Sequence, residues 1–149
     1  MRAVIQRVLH ARVRVGQRVV SEIGPGLLIY LAIGRNDTFR TAEALAAKIA
    51  SLRIFNDEHG KMNRSLIESV AAALVVSEFT LYGDCRKGRR PNYMLAAPHA
   101  QAREIYEFFA RALASCGLKV STGEFHAMME VESVNDGPVT LLLDSDRLF

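Results

Sequence analysis

The sequence has little of what membrane-spanning, disulfide-stabilised or low-complexity proteins require. Its longest charge-free apolar stretch, residues 24–34, is much shorter than the ~18 apolar residues of a membrane helix. Glycine and proline together make up 14 of the 149 residues, which excludes collagen-like and disordered chains. Two cysteines are too few for a disulfide framework, so both are expected to be reduced thiols.

Sequence signatures of cofactors and metal ions are also missing. The segment Gly24-Pro25-Gly26 lacks the third glycine of a dinucleotide-binding loop, and no Gly-Lys-Ser/Thr follows a strand. No histidine pair has i,i+4 spacing, and no Cys or His pair has zinc-finger spacing. We therefore expect no cofactor, no metal and no membrane partner. Charged Arg2 and Arg7 interrupt the N-terminal apolar residues, so no signal peptide is visible and a cytoplasmic location is expected.

The composition is that of a globular protein. Half of the residues are hydrophobic and 23% are charged, and a chain of 149 residues has the size of one domain. We therefore predict a single domain over residues 1–149.

Periodicity predicts the N-terminal strands. Apolar and polar residues alternate over Ala11–Val15, Gly16-Gln17 forms a short break, and a second strand runs over Arg18–Ile23. The continuous apolar run Leu27–Ile33 is typical of a central strand buried on both faces.

Two helices are predicted, the first after the cap cluster Asn36-Asp37-Thr38 and the second from Pro98 to a left-handed cap at Gly117. Further strands are predicted at 53–55, 71–81, 118–121, 128–134 and 139–143, with turns or loops at 56–64, 82–92 and 135–138. The fold class predicted is therefore α/β, with mixed, largely antiparallel sheets and two main helices.

Charge is distributed unevenly along the chain. Residues 1–90 carry 15 basic and 8 acidic side chains, whereas residues 91–149 carry 4 and 8. Arg86, Lys87, Arg89 and Arg90 place four positive charges within five positions. This pattern predicts a polyanionic partner. Arginine also outnumbers lysine 15 to 4, which suits bidentate contact with phosphate, although a GC-rich genome would produce the same excess.

Two segments carry polar groups next to predicted strands. Ser77-Glu78-Phe79-Thr80 ends an apolar strand with two hydroxyls and a carboxylate, and Asn135-Asp136-Gly137-Pro138 separates two strands. The first is also explained as an ordinary strand end and the second as a turn. Spacing alone does not decide between these structural interpretations and a functional one.

Both segments resemble signatures of the D-aminoacyl-tRNA deacylase family, Ser-Gln-Phe-Thr near mid-chain and Asn-x-Gly-Pro-Val-Thr near the C-terminus. The resemblance covers essentially the whole chain, because further family segments occur in the same order. These segments are Ile5-Gln6-Arg7-Val8, Leu52-Arg53-Ile54-Phe55, Gly60-Lys61-Met62-Asn63, Gly88-Arg89-Arg90-Pro91 and Gly123-x-Phe125.

The resemblance implies a carboxylic ester hydrolase that proofreads chirality. Such an enzyme hydrolyses the ester between tRNA and a D-amino acid, or glycine mischarged on tRNA(Ala). It implies an α/β/β layered fold and a homodimer in which a Gly-cisPro motif of one subunit enters the other subunit's site. The partner expected is aminoacyl-tRNA, contacted at its 3′-terminal adenosine and acceptor stem, with no DNA partner.

The resemblance also assigns candidate residues. The catalytic segment is Ser77, Glu78, Phe79 and Thr80, where main-chain N–H groups around Phe79 and Thr80 would stabilise the oxyanion and the ribose 2′-hydroxyl would assist. Thr80 as nucleophile is the rival mechanism, disfavoured because no histidine base lies near it in sequence. Substrate-binding residues would be Arg7, Phe125, Met129, Asn135, Gly137 and Pro138. Phosphate-binding residues would be Lys61, Lys87, Arg89 and Arg90.

The sequence departs from the family pattern at three positions. Glu78 replaces the usual glutamine, His126 replaces a glycine or alanine, and Ser133 replaces a leucine. Two alternative functions therefore stay open, an RNA-binding homologue with weakened hydrolysis and a sister deacylase that acts on L-aminoacyl-tRNA. The intact Gly137-Pro138 pair favours D-selectivity over the second. A generic serine or cysteine esterase is disfavoured because no nucleophile elbow is present.

Overall fold

The structure, a computed structural model that describes residues 1–148, is built from eight strands, two α-helices and one 3₁₀ helix. The strands are β1 (Arg2–Val15), β2 (Arg18–Ile23), β3 (Gly26–Ala32), β4 (Phe55–Asn56), β5 (Met62–Arg64), β6 (Ala72–Ser77), β7 (Lys119–Thr122) and β8 (Glu130–Asp144). The helices are α1 (Phe39–Ser51), the 3₁₀ helix (Phe79–Tyr82) and α2 (His99–Ser115).

One mixed sheet contains six of these strands. Strand β1 pairs antiparallel with β2, β3 and β8, whereas β3 pairs parallel with β6, and β6 pairs parallel with β7. Strands β4 and β5 form a separate antiparallel pair. The two helices and the mixed sheet confirm the predicted fold class.

The long strand β1 contributes to two hydrophobic cores. Ala3 and Ile5, in its first half, belong to the core beneath the two helices. Val8, Ala11 and Val13 belong to a second core on the opposite side of the sheet. The step from Ile5 to Val8 spans an odd number of residues, so it changes the face on which the buried side chains lie. The result is a layer of helices, a central sheet and a second β layer.

The helix boundaries follow from local chemistry. Thr38 caps α1, since its side chain accepts a hydrogen bond from the Thr41 N–H while the Thr41 hydroxyl accepts one from the Thr38 N–H. Helix α2 begins directly after Pro98 and ends before Gly117, whose φ of 85° matches the predicted left-handed cap. Within residues 1–148, no helix has both the length and the apolar character needed to cross a membrane.

Three predicted boundaries are wrong. The loop predicted over residues 56–64 contains strand β5 at Met62–Arg64. The strand predicted over residues 71–81 ends at Ser77, because the chain turns into the 3₁₀ helix with Glu78 as its cap. The break predicted at 135–138 lies inside the continuous strand β8. Pairing with β1 is nevertheless interrupted there. Asn135 pairs with Val8, and the next pair is Thr140 with Gln6. Residues 136–139 therefore lie outside the β1–β8 ladder.

The packing of β3 against β6 yields a stability prediction. A Cβ atom on Gly26 would lie 2.0 Å from the Ala72 carbonyl oxygen, so Gly26→Ala would force the two strands apart. We expect the free energy of unfolding to fall by more than about 2 kcal/mol, measured by urea denaturation. Gly24→Ala is the matched control, because no atom lies within 4 Å of its added Cβ. Equal stability of the two variants would contradict this account of the strand packing.

Candidate functional site

A cavity of about 580 Å³ opens where β3 and β6 end. Parallel strands end at the same edge of a sheet, and here that edge carries Ser77 and the 3₁₀ helix. The opposite walls come from α2 and from residues 125–129, which precede β8. Its volume lies in the range of small-molecule binding sites. The lining includes six of the predicted site residues, Ser77, Glu78, Phe79, Thr80, Phe125 and Met129.

Glu78 organises the polar end of this cavity. Its N–H donates to the Leu31 carbonyl at 2.9 Å, which fixes the end of β6 to β3. Its carboxylate Oε1 accepts hydrogen bonds from the Thr80 N–H at 3.3 Å and from the Thr80 hydroxyl. Thr80 therefore has the neighbouring acceptor that sequence reasoning did not find.

The Phe79 N–H is the free donor of this segment. It makes no hydrogen bond with any group of residues 1–148, as expected for the first N–H of a helix. The Thr80 N–H is already engaged by Glu78. Of the two main-chain donors expected to stabilise an oxyanion, only the N–H of Phe79 is therefore available without a movement of the Glu78 side chain.

Aromatic rings form the wall opposite the 3₁₀ helix. Phe125 packs against Tyr106 with ring centroids 5.5 Å apart and against His99 at 5.1 Å. His99 in turn meets the edge of His126 at 4.2 Å. All four rings line the cavity.

Tyr106 is a site residue that sequence reasoning missed. The side chain is buried, its hydroxyl donates to the Val75 carbonyl at 2.8 Å, and burial raises the pKa of the phenol. The available signal was an aromatic residue with a polar tip next to Ile105 on the apolar face of α2. Tyr106 therefore supports the cavity wall as a neutral phenol.

The departure from the family pattern at His126 has a backbone explanation. His126 has a φ of 68°, in the left-handed region that glycine adopts most readily and that Asn, Asp and His adopt more often than other residues. A glycine at this position adopts that conformation without strain, and histidine is among the residues that tolerate it. His126 therefore keeps the path of the loop and adds an imidazole to the cavity.

The Gly-Pro segment forms a second cluster around Arg7. The buried Arg7 guanidinium donates to the Ile54 carbonyl at 2.6 Å and lies 2.8 Å from the Asp136 carboxylate. Asn135 donates from its side-chain amide to the carbonyls of Arg7, at 2.8 Å, and Val139, at 3.0 Å. These contacts hold residues 136–139 where they leave the β1–β8 ladder.

The backbone of Gly137 requires glycine. Its φ of 124° lies in a region that L side chains rarely adopt, and a Cβ would lie 2.7 Å from the Val139 side chain. The Gly137–Pro138 peptide bond is cis. Four predicted site residues, Arg7, Asn135, Gly137 and Pro138, are absent from the lining of the cavity within residues 1–148. The structure thus divides the predicted substrate site into two separate parts of one chain.

The predicted phosphate-binding residues lie in two exposed loops. Arg86 pairs with Asp84 at 2.6 Å, which lowers the pKa of that carboxyl. Lys87, Arg89 and Arg90 form no ion pair with residues 1–148. Lys61 lies in the loop that joins β4 to β5. No cluster of three or more potential metal ligands occurs among residues 1–148.

Comparisons of sequence identify the family. The profile of the family described as D-Tyr-tRNA(Tyr) deacylase matches residues 4–144. The chain is 55% identical over 149 residues to the D-aminoacyl-tRNA deacylase of Desulforudis audaxviator (strain MP104C), with all of both chains covered. It is 57% identical over 147 residues to that of Thermus aquaticus, covering 99% of this chain and 97% of the relative.

Solved structures show the same fold. The structure named c-Myc DNA Unwinding Element Binding Protein superposes with a TM-score of 0.90 at 40% identity, covering 97% of this chain and 98% of the other. A probable eukaryotic D-amino acid tRNA deacylase superposes with a TM-score of 0.85 at 16% identity, covering 95% and 97%, which supports the fold alone. With the sequence relatives at more than half identity, these findings show that the chain belongs to the D-Tyr-tRNA(Tyr) deacylase family and is a hydrolase.

Proposed function

We propose that this protein hydrolyses the ester of D-aminoacyl-tRNA, releasing tRNA and the free D-amino acid. The observation that carries the proposal is the cavity at the end of β6, in which the unengaged Phe79 N–H lies in the Ser-x-Phe-Thr segment. A main-chain donor held by helix geometry stabilises an oxyanion without reorganisation. Glycine mischarged on tRNA(Ala) is a further substrate, because it has no side chain to exclude.

The cavity suits the end of an aminoacyl-tRNA. Its apolar wall of Phe125, Tyr106 and Met129 can receive a flat base, and its polar end at Ser77 to Thr80 can receive the ester. A water then attacks the carbonyl carbon, the Phe79 N–H donates to the developing oxyanion, and the bond to the ribose oxygen breaks. The adjacent 2′-hydroxyl of the ribose assists the proton transfer, so no side-chain nucleophile is needed.

Selectivity for the D isomer is proposed to come from the main chain of the Gly137-Pro138 segment. The carbonyls of Gly137 and Pro138 would occupy the space that an L side chain needs, and they would face the α-amino group. These residues lie outside the cavity of their own chain, so the motif would be supplied by a second copy in a homodimer. The contacts of Arg7 and Asn135 would hold the segment rigid for this role.

Chirality is the first test of the proposal. We expect wild-type enzyme at catalytic concentration to deacylate D-tyrosyl-tRNA at least about 100-fold faster than L-tyrosyl-tRNA, because the excluded L side chain prevents productive binding. The measurement is release of radiolabelled tyrosine from matched esters. Hydrolysis of the L ester alone would assign the protein to L-aminoacyl-tRNA, and binding of tRNA without turnover would assign it to RNA binding.

A second experiment separates the two chemical routes. If the 2′-hydroxyl assists, a substrate ending in 2′-deoxyadenosine should react at least about 100-fold more slowly, the lower end of typical proton-transfer effects. Thr80→Ala should then keep most of the activity on the ordinary substrate. The rates are measured in single turnover. Loss of activity in Thr80→Ala, together with a covalent acyl-enzyme detected by mass spectrometry of acid-quenched wild type, would establish Thr80 as the nucleophile.

The basic loops are proposed to contact the acceptor-stem phosphates in the cytoplasm, where aminoacyl-tRNA is found. Each phosphate contact adds roughly 0.7–0.9 to the slope of log affinity against log salt. We expect Arg89→Ala with Arg90→Ala to raise KM and to reduce this slope by about 1–2, without changing kcat. Lys48→Ala with Arg111→Ala removes two exposed charges elsewhere and is the control. Equal effects of both pairs would argue against a phosphate contact in this loop.

A further inference from the structure

Glu78 is an unpaired negative charge in a cavity lined mainly by apolar and aromatic side chains. Within residues 1–148 it is the only acidic side chain that lines the cavity, and no Lys, Arg or His nitrogen lies within 4 Å of its carboxylate. Oxygen Oε1 accepts from Thr80, whereas Oε2 accepts no hydrogen bond from any described residue. The carboxylate therefore has an unused acceptor oxygen and no counter-charge.

The surroundings of Glu78 supply no cation to its carboxylate among residues 1–148. The residue Glu78 is partly buried, and the other side chains that line this end of the cavity include Leu31 and Val76. Burial raises the pKa of the nearby Tyr30 phenol, and the negative charge of Glu78 raises it further. A partly desolvated carboxylate gains free energy when a cation with N–H donors binds to it.

The ester described above carries such a cation close to the reacting atom. The α-ammonium group is attached to the carbon next to the ester carbonyl. Glu78 directly precedes Phe79 in the chain, and the Phe79 N–H is the proposed oxyanion donor. The Glu78 carboxylate accepts from the next N–H along the chain, that of Thr80, so it lies beside this donor. An ester carbonyl that accepts from Phe79 would therefore place its ammonium group near the Glu78 side chain.

We propose that Glu78 binds the α-ammonium group and makes the enzyme selective for esters with a free amine over N-acylated esters. This inference rests on the proposed function. Glu78 acts here as a specificity-determining residue. The Gly137 and Pro138 carbonyls of a second subunit would contact the ammonium group from another side, so the two contacts are compatible.

The test compares two substrates and three proteins. kcat and KM are measured for D-tyrosyl-tRNA and for N-acetyl-D-tyrosyl-tRNA with wild type, Glu78→Gln and the control Glu43→Gln. Glutamine keeps the shape of the side chain and an oxygen that can accept from Thr80. Glu43 is an exposed residue of α1 without an ion pair among residues 1–148.

We expect Glu78→Gln to raise KM for D-tyrosyl-tRNA about tenfold, the loss of one charge-assisted contact, with kcat unchanged. KM for the N-acetylated ester should stay the same, so the preference for the free amine falls by the same factor. Glu43→Gln should behave as wild type. Unfolding curves of the variants exclude a folding defect.

Each of the other outcomes is decisive. An unchanged preference in Glu78→Gln overturns the inference and leaves the proposed function intact. An equal loss of kcat on both esters also overturns it, because Glu78 would then act as a general base and not as an ammonium receptor. If wild type hydrolyses neither D ester nor its N-acetylated form, the proposed function fails and this inference fails with it.

Discussion

The rest of the structure depends on the pairing of β1 with three neighbouring strands. Its first half pairs with β3 and the C-terminal half of β8, and its second half pairs with β2 and the start of β8. Strand β3 then aligns β6 in parallel, so that both strands end at one edge of the sheet. The cavity lies at this edge. The position of the site is therefore a consequence of strand pairing and not of any one loop.

The same pairing creates the Arg7 cluster. Where β1 changes the face of its buried side chains, the β1–β8 register shifts and residues 136–139 leave the ladder. Arg7 lies opposite this bulge, and its buried guanidinium contacts Asp136 and the Ile54 carbonyl. A bulge held by side chains presents main-chain carbonyls in a fixed direction. Rigid presentation is what steric selection against one stereoisomer requires, since a mobile segment would admit both isomers.

Sequence reasoning found the elements whose pattern repeats locally. The alternation over Ala11–Val15 and the apolar positions of the two helices depend on neighbours in the chain, and these elements were correctly predicted. Phe79 and Leu81 continue the apolar run beyond Ser77, so the pattern predicts a strand over residues 71–81, whereas the Glu78 cap that ends the strand is visible only in three dimensions. The contacts of Glu78 with Thr80 and of Tyr106 with the cavity depend on packing, and for Tyr106 the sequence carries only the signal of a polar-tipped aromatic residue on the apolar face of α2.

Position 78 shows how a site can change its charge without a change in fold. In the structure this side chain accepts hydrogen bonds from the Thr80 N–H and hydroxyl at the start of the 3₁₀ helix. An amide oxygen and a carboxylate oxygen can both accept these hydrogen bonds. Glutamine and glutamate can therefore both accept these hydrogen bonds, and glutamate in addition presents a negative charge to the cavity. Because either residue can accept hydrogen bonds from Thr80, residue 78 can gain a negative charge without a change in fold, and the proposed contact with an α-ammonium group would favour the carboxylate.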